Sequence, residues 1–390
     1  MKTIKDINLN GKRVLVRCDF NVPLSDKGDI LDDFRIKKTI PTIEYLIKKR
    51  AKIILMSHLG RPKGEVIEGL RLTPIQTRLV ECLKIPIAKT GNCVGLNIKK
   101  QIREMRNGEV LLLENIQFHP GEIKNDLKFS KTLAGYGDVF IMEAFGQAHR
   151  DYASIVSIPK YLPSAAGFLL EKEVESLSKV IENPERPFIA IVGGAKIESK
   201  TMVIKTFLEK ADHLLLGGKI ANSILAIKGI WPFGDLPSEE VVREVEKMSL
   251  TLTKLHLPVD VLASSDSSGK DYVRQTALAG IKKDELLLDI GEETRNIFSN
   301  IIKEAKTIVW SGPLGFFENP LFEKGTKEIA ESIIKNEKAF KVAGGGETVE
   351  FINKNNLKEN FDHVSTGGGA MLEFLSGKKL PGIEVLRSEN

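Results

Sequence analysis

Two groups of residues in this 390-residue sequence have the types and spacing to handle phosphate. The first is polar and charged: Asp19-Phe20-Asn21, His58-Leu59-Gly60-Arg61, Glu114-Asn115-Ile116-Gln117 and Glu143-Ala144-Phe145-Gly146, the last leading to Ala148-His149-Arg150. Arginine offers a planar, permanently charged fork that matches phosphate and carboxylate oxygens, so this set suits a small acidic substrate. The second group is glycine-rich: Gly193-Gly194-Ala195-Lys196, Gly217-Gly218-Lys219, Ser311-Gly312-Pro313-Leu314-Gly315, Gly344-Gly345-Gly346-Glu347-Thr348 and Gly367-Gly368-Gly369. Without a Cβ, backbone amides approach a polyphosphate closely, and a helix starting just after the loop adds favourable partial charge. That is nucleotide-binding chemistry.

Both groups follow short runs rich in Val, Ile and Leu. In the first half these are 13–18, 52–57, 109–113 and 139–142; in the second, 188–192, 213–216, 260–263, 286–288, 307–310, 340–343 and 363–365. Such runs alternating with amphipathic stretches predict an α/β fold of buried, mainly parallel strands, with ligands beyond the carboxyl ends of the strands. The length itself requires two or three domains. Across 167–181, Leu170, Val174, Leu177 and Ile181 share one helical face, and Asn183-Pro184 ends it. We therefore expect domains at 1–166 and 185–375 joined by a connector helix at 167–184.

Composition excludes other classes. At 42% hydrophobic and 28% charged the chain is too apolar for a disordered protein. Lys+Arg 57 against Asp+Glu 52 leaves +5, a mild excess rather than a nucleic-acid-binding stripe, so no nucleic-acid partner is expected. Ten of the 15 arginines precede Arg186, which places the acidic substrate in the first half; 20 of the 33 glycines lie beyond it, which places the nucleotide in the second. Three cysteines without a C-x-x-C pair point away from disulfides and structural zinc. The start carries no apolar signal core and no stretch reaches the ~18 apolar residues of a span, so no membrane partner and a cytoplasmic location are expected. Neither G-x-x-x-x-G-K-[ST] nor a helix-opening G-x-G-x-x-G after the first strand occurs, which disfavours a P-loop ATPase and a nicotinamide-dependent dehydrogenase.

From end to end the motifs resemble one family, phosphoglycerate kinase. The opening Gly11-Lys12-Arg13-Val14-Leu15-Val16-Arg17-Cys18-Asp19-Phe20-Asn21-Val22-Pro23-Leu24 is followed in family order by Asp33-Phe34-Arg35-Ile36, Ser57-His58-Leu59-Gly60-Arg61-Pro62 and Phe145-Gly146-Gln147-Ala148-His149-Arg150. Later come Gly193-Gly194-Ala195-Lys196, Trp310-Ser311-Gly312-Pro313, the triple glycine before Glu347, and Ser365-Thr366-Gly367-Gly368-Gly369-Ala370. The resemblance implies two Rossmann-like three-layer domains that close on their ligands, with residues 376–390 returning to the first. It implies reversible phosphoryl transfer between ATP and the carboxylate of 3-phosphoglycerate, giving 1,3-bisphosphoglycerate and ADP, with Mg2+, in a monomer.

By the same mapping Asp19, Asn21, Arg35, His58, Leu59, Gly60, Arg61, Gln117, His149 and Arg150 surround the phosphoglycerate. Gly193, Gly194, Lys196, Lys200, Gly217, Gly218, Gly312, Leu314, Glu318, Gly345, Gly346, Glu347 and Thr348 surround the nucleotide, with Glu347 at the metal. The acceptor carboxylate is already ionised and needs no general base, so catalysis falls to alignment and charge neutralisation by Arg35, Lys200 and the amides at Gly345 and Gly346. The sequence also departs from the family pattern. Gln117 stands for an arginine, Tyr152 for a histidine, Glu347 and Glu143 for aspartates, Ser199 for an aspartate and Ser311 for an asparagine. Losing a charged hydrogen bond costs ~1.5–3 kcal/mol, which raises two alternatives: a low-turnover relative that binds these ligands, or a kinase of another small carboxylate.

Overall fold

The structure, a computed structural model, describes residues 1–387 apart from 232, 233, 235 and 249–252. It divides into two compact units, Met1–Val174 with Lys379–Asn390, and Glu175–Lys378. The helix predicted at 167–181 forms at Phe168–Glu182, and the division falls inside it, so its turns are shared between the units. Of the returning segment 376–390, residues 388–390 lie outside the described part.

The first unit is built on β1 (Arg13–Arg17), β2 (Lys52–Met56), β3 (Ile87–Lys89), β4 (Val110–Leu112), β5 (Val139–Met142) and β6 (Ser164–Ala166). They form one sheet in the order β3-β4-β2-β1-β5-β6, parallel at every pairing. Successive residues of the central strands are buried whichever face they point to, as in Leu15, Val16, Ile54 and Leu55, so both faces are covered. The chain winds outward from β1 through β2 to the edge strand β3, steps back to lay β4 between β3 and β2, and then crosses to place β5 on the other side of β1. That reversal lies where β1 delivers Asp19 and β5 delivers Glu143. The Pro381–Arg387 helix completes this unit: Leu380, Ile383 and Leu386 are buried, and Gly382 N donates to Ala148 O at 2.9 Å.

The second unit holds β7 (Phe188–Val192), β8 (His213–Leu216), β9 (Leu255–His256), β10 (Asp260–Ser264), β11 (Arg274–Ala277), β12 (Leu286–Ile290), β13 (Thr307–Ser311), β14 (Phe340–Ala343) and β15 (His363–Val364). Its main sheet runs β15-β14-β13-β7-β8-β9, again parallel throughout. The winding reverses between β7 and β13. The runs predicted at 260–263 and 286–288 do become strands, but they pair antiparallel with each other, and β10 also with β11, in a separate three-stranded sheet rather than joining the parallel one. Arg274–Ala277 alternates half-buried and exposed residues, the pattern of a sheet with one face in water. No helix among the described residues is long and apolar enough to cross a membrane.

Candidate functional site

In the first unit the predicted residues gather around Asp19. Arg35, the second residue of the Phe34–Lys48 helix, donates from Nη1 to Asn21 O at 2.8 Å and lies 3.4 Å from Asp19 Oδ2. His58 Nδ1 stands 3.9 Å from Asp19 Oδ1, and Gly60 N donates to Asn21 Oδ1 at 2.8 Å. A second layer holds these loops. Asn115, fully buried, donates from Nδ2 to Leu59 O at 2.8 Å and Leu70 O at 2.9 Å, and its Oδ1 accepts from Gln117 N at 3.1 Å. Gln117 is buried, whereas Arg61 and Arg150 are exposed and His149 is half-buried.

The electrostatics of this group favour an anion. Burial pushes His58 down to about 3, so its imidazole is neutral at physiological pH. Burial raises the Asp19 carboxyl, but the surrounding positive charge, that of Arg35 first, outweighs it and leaves the carboxyl below its ordinary value. One carboxylate therefore stands among the guanidinium groups of Arg17 and Arg35, with the neutral His58 beside it.

In the second unit the site forms where the winding reverses. Lys200, just ahead of the Thr201–Lys210 helix, donates from Nζ to Gly193 O at 2.6 Å and Ser311 O at 3.2 Å, the carbonyls just beyond β7 and at the last residue of β13. Burial pushes this ammonium down to about 8, against the opposing pull of Glu347. Gly193 N donates to Ser311 O and Gly194 N to Pro313 O, at 2.9 and 2.7 Å, while Gly218 N donates to Leu314 O at 3.0 Å. Gly312 has φ +100°, and a Cβ there would run into Gly193 O and Lys200 Nζ, so this crossing admits only glycine. Gly312 N donates to Thr348 Oγ1 at 2.6 Å. Thr348 lies in the Gly346–Lys354 helix, whose first turn carries Glu347 and whose start is capped by Gly345.

A cavity of about 630 Å³ opens beside these loops. Gly194, Gly218, Glu318 and Glu347 line it on one side, and Trp231 and Leu287 are among its apolar walls. Its size and mixed lining fit a nucleotide. Lys196 and Lys200 share no helix face, because the helix begins only at Thr201; Lys196 is exposed on the turn and Lys200 is buried beneath it. Gly217 packs against the buried Leu314.

A family model described as phosphoglycerate kinase matches residues 4–378. The phosphoglycerate kinase of Desulfosudis oleivorans is 43% identical over 391 residues, covering 99% of this chain and 98% of that protein. The chain belongs to the phosphoglycerate kinase family. Two solved phosphoglycerate kinases share its fold: that of Coxiella burnetii, with a TM-score of 0.85 and 35% identity, and that of Pyrococcus horikoshii OT3, with 0.87 and 31%. Each match covers 99% of this chain and 98% of the other. The activity is that of a phosphoglycerate kinase, a phosphotransferase that uses ATP or ADP, and neither the low-turnover relative nor the kinase of another carboxylate is favoured.

In this phosphoglycerate kinase the structure also places residues that the sequence did not single out. Arg17, which reads as part of the first apolar run, is fully buried; its Nε donates to Ser154 Oγ at 2.7 Å, its Nη1 donates to Cys18 O, and its Nη2 lies 3.9 Å from Glu122 Oε1. Ser154 in turn donates to both Glu122 oxygens, from N at 3.0 Å and from Oγ at 2.5 Å. The one trace in the sequence is a charge inside a hydrophobic strand, which does not reveal the side to which it points. Glu143, fully buried, accepts from Thr42 Oγ1 and from Leu169 N at 3.1 Å, so it serves the start of the Phe168–Glu182 helix. Burial pushes it up to about 7. Ser311 Oγ is buried without a hydrogen-bond partner, and the exposed Ser199 donates to Lys196 O at 3.0 Å.

Proposed function

We propose that the first unit binds 3-phosphoglycerate through Asp19, Asn21, Arg35, His58, Leu59, Gly60, Arg61, Gln117, His149 and Arg150. The second unit binds ATP or ADP through Gly193, Gly194, Lys196, Lys200, Gly217, Gly218, Gly312, Leu314, Glu318 and Gly345 to Thr348. Arg35 holds the acceptor carboxylate, Lys200 accompanies the transferring phosphoryl group, and the amides at Gly345 and Gly346 take up charge on its oxygens. The observation that carries this reading is Lys200. A buried ammonium held by two backbone carbonyls at the winding reversal, beside a helix start and a nucleotide-sized cavity, is placed to exchange those carbonyls for phosphate oxygens.

Among the described residues no group of three or more His, Cys, Asp or Glu could hold a metal ion. Magnesium is commonly held by one or two carboxylates plus substrate phosphates, and the lone hard carboxylate of Glu347 at the helix start fits that mode. When bound, the ion supplies charge neutralisation on the phosphates; Glu347 is the residue that would hold it. We further infer a monomeric, cytoplasmic enzyme.

The test is a coupled assay with ATP, magnesium and 3-phosphoglycerate, for which we expect turnover of about 1–100 s⁻¹. Arg35→Ala should lower kcat by roughly 10²- to 10³-fold while calorimetry finds ADP affinity nearly intact. Equal loss of both would contradict the role given to Arg35, and turnover only with a different carboxylate would overturn the substrate.

A further inference from the structure

Lys219 belongs to a glycine-rich strand end that the reading above leaves partly unused. It is exposed in the first turn of the Gly218–Ile227 helix, on the wall of the 630 Å³ cavity. Of the described residues lining that cavity it is the one basic side chain, against three carboxylates, Glu198, Glu318 and Glu347. Lys200 is not on the wall, and its ammonium is engaged by two carbonyls. A polyphosphate in the cavity therefore has Lys219 as the basic side chain on its wall.

Its position is otherwise unfavourable. The start of a helix carries partial positive charge, so a lysine in the first turn is electrostatically misplaced. Among the described residues Lys219 forms no ion pair that would offset it. A bound anion reverses that sign, because helix start and ammonium then act on it together. A Cβ on Gly218 would sit 3.0 Å from Gly194 N, and one on Gly194 would sit 3.0 Å from Lys200 Nζ, so this helix begins against the loop that carries Lys200.

We propose that Lys219 is a nucleotide-binding residue whose ammonium pairs with the polyphosphate and sets the preference for charged nucleotides over the bare nucleoside. The inference rests on the cavity being the nucleotide site. The test titrates the full-length protein and its Lys219→Ala, Lys219→Gln and Lys219→Arg variants with ATP, ADP and adenosine at two salt concentrations, and records the thermal midpoint of each unliganded variant. We expect Lys219→Ala and Lys219→Gln to weaken ATP and ADP by about 5- to 10-fold, with a shallower salt dependence and unchanged adenosine binding. Lys219→Arg should retain parental affinity, and the unliganded midpoints should stay level or rise. Unchanged ATP affinity in Lys219→Ala would overturn the proposal, as would equal weakening of ATP and adenosine, which marks packing against the base. A parent that binds no nucleotide would instead remove the cavity reading, and the proposal with it.

Discussion

At the scale of single residues, burial sets which groups carry charge. Lys200 is the sharpest case, since it must be an ammonium to hold phosphate while burial holds it down to about 8. We expect kcat/KM for nucleotide to fall as pH rises through about 8, as free protein loses that proton; Lys200→Arg should remove this alkaline limb while lowering kcat. His58 titrates in the opposite range. The unfolded chain takes up a proton near 6.5, the folded one only near 3, so stability present above 6.5 is lost as pH falls toward 3. Urea midpoints measured across that range should slope for the parent and flatten for His58→Asn. The fully buried Arg17 was not legible as a site residue, because from sequence it cannot be told whether a charge within a strand points out or is caged by partners 105 to 137 positions away.

At the scale of elements, the strand ends were the most legible feature. Runs of three to five apolar residues appeared within a residue or two of where the strands form, because a strand buried on both faces is apolar through its centre. Ile87–Lys89, Ser164–Ala166, Leu255–His256 and Arg274–Ala277 were not, being two to four residues long or mixed in polarity. Nor could periodicity decide that Asp260–Ser264 pairs antiparallel, since pairing is a property of partners distant in sequence. The same limit hid Asn115. Its type suggested a ligand contact, but its amide closes the loop between Leu59 and Leu70 and fixes Gln117 beside it. Asn115→Ala should cost about 1–3 kcal/mol in chemical denaturation, because one buried and one partly buried carbonyl lose their donor. It should also raise KM for 3-phosphoglycerate more than it changes ADP affinity; an unchanged KM would show that the loop keeps its shape unaided.

At the scale of the whole chain, the first unit is discontinuous. Its first stretch ends at Val174 and its last begins at Lys379. Removing residues 379–390 strips away Leu380, Ile383 and Leu386, all buried, and each such side chain contributes ~1.5–3 kcal/mol. We expect the truncated protein to melt roughly 10 °C lower or more by calorimetry while ADP titration finds the second unit's affinity retained. The same discontinuity orders events during synthesis. On the ribosome the nascent first unit lacks its final helix until the residues from Lys379 onward have been made and have emerged, after every residue of the second unit. The part of the polypeptide made earliest is thus the part completed last, and it must be kept from aggregating through the interval.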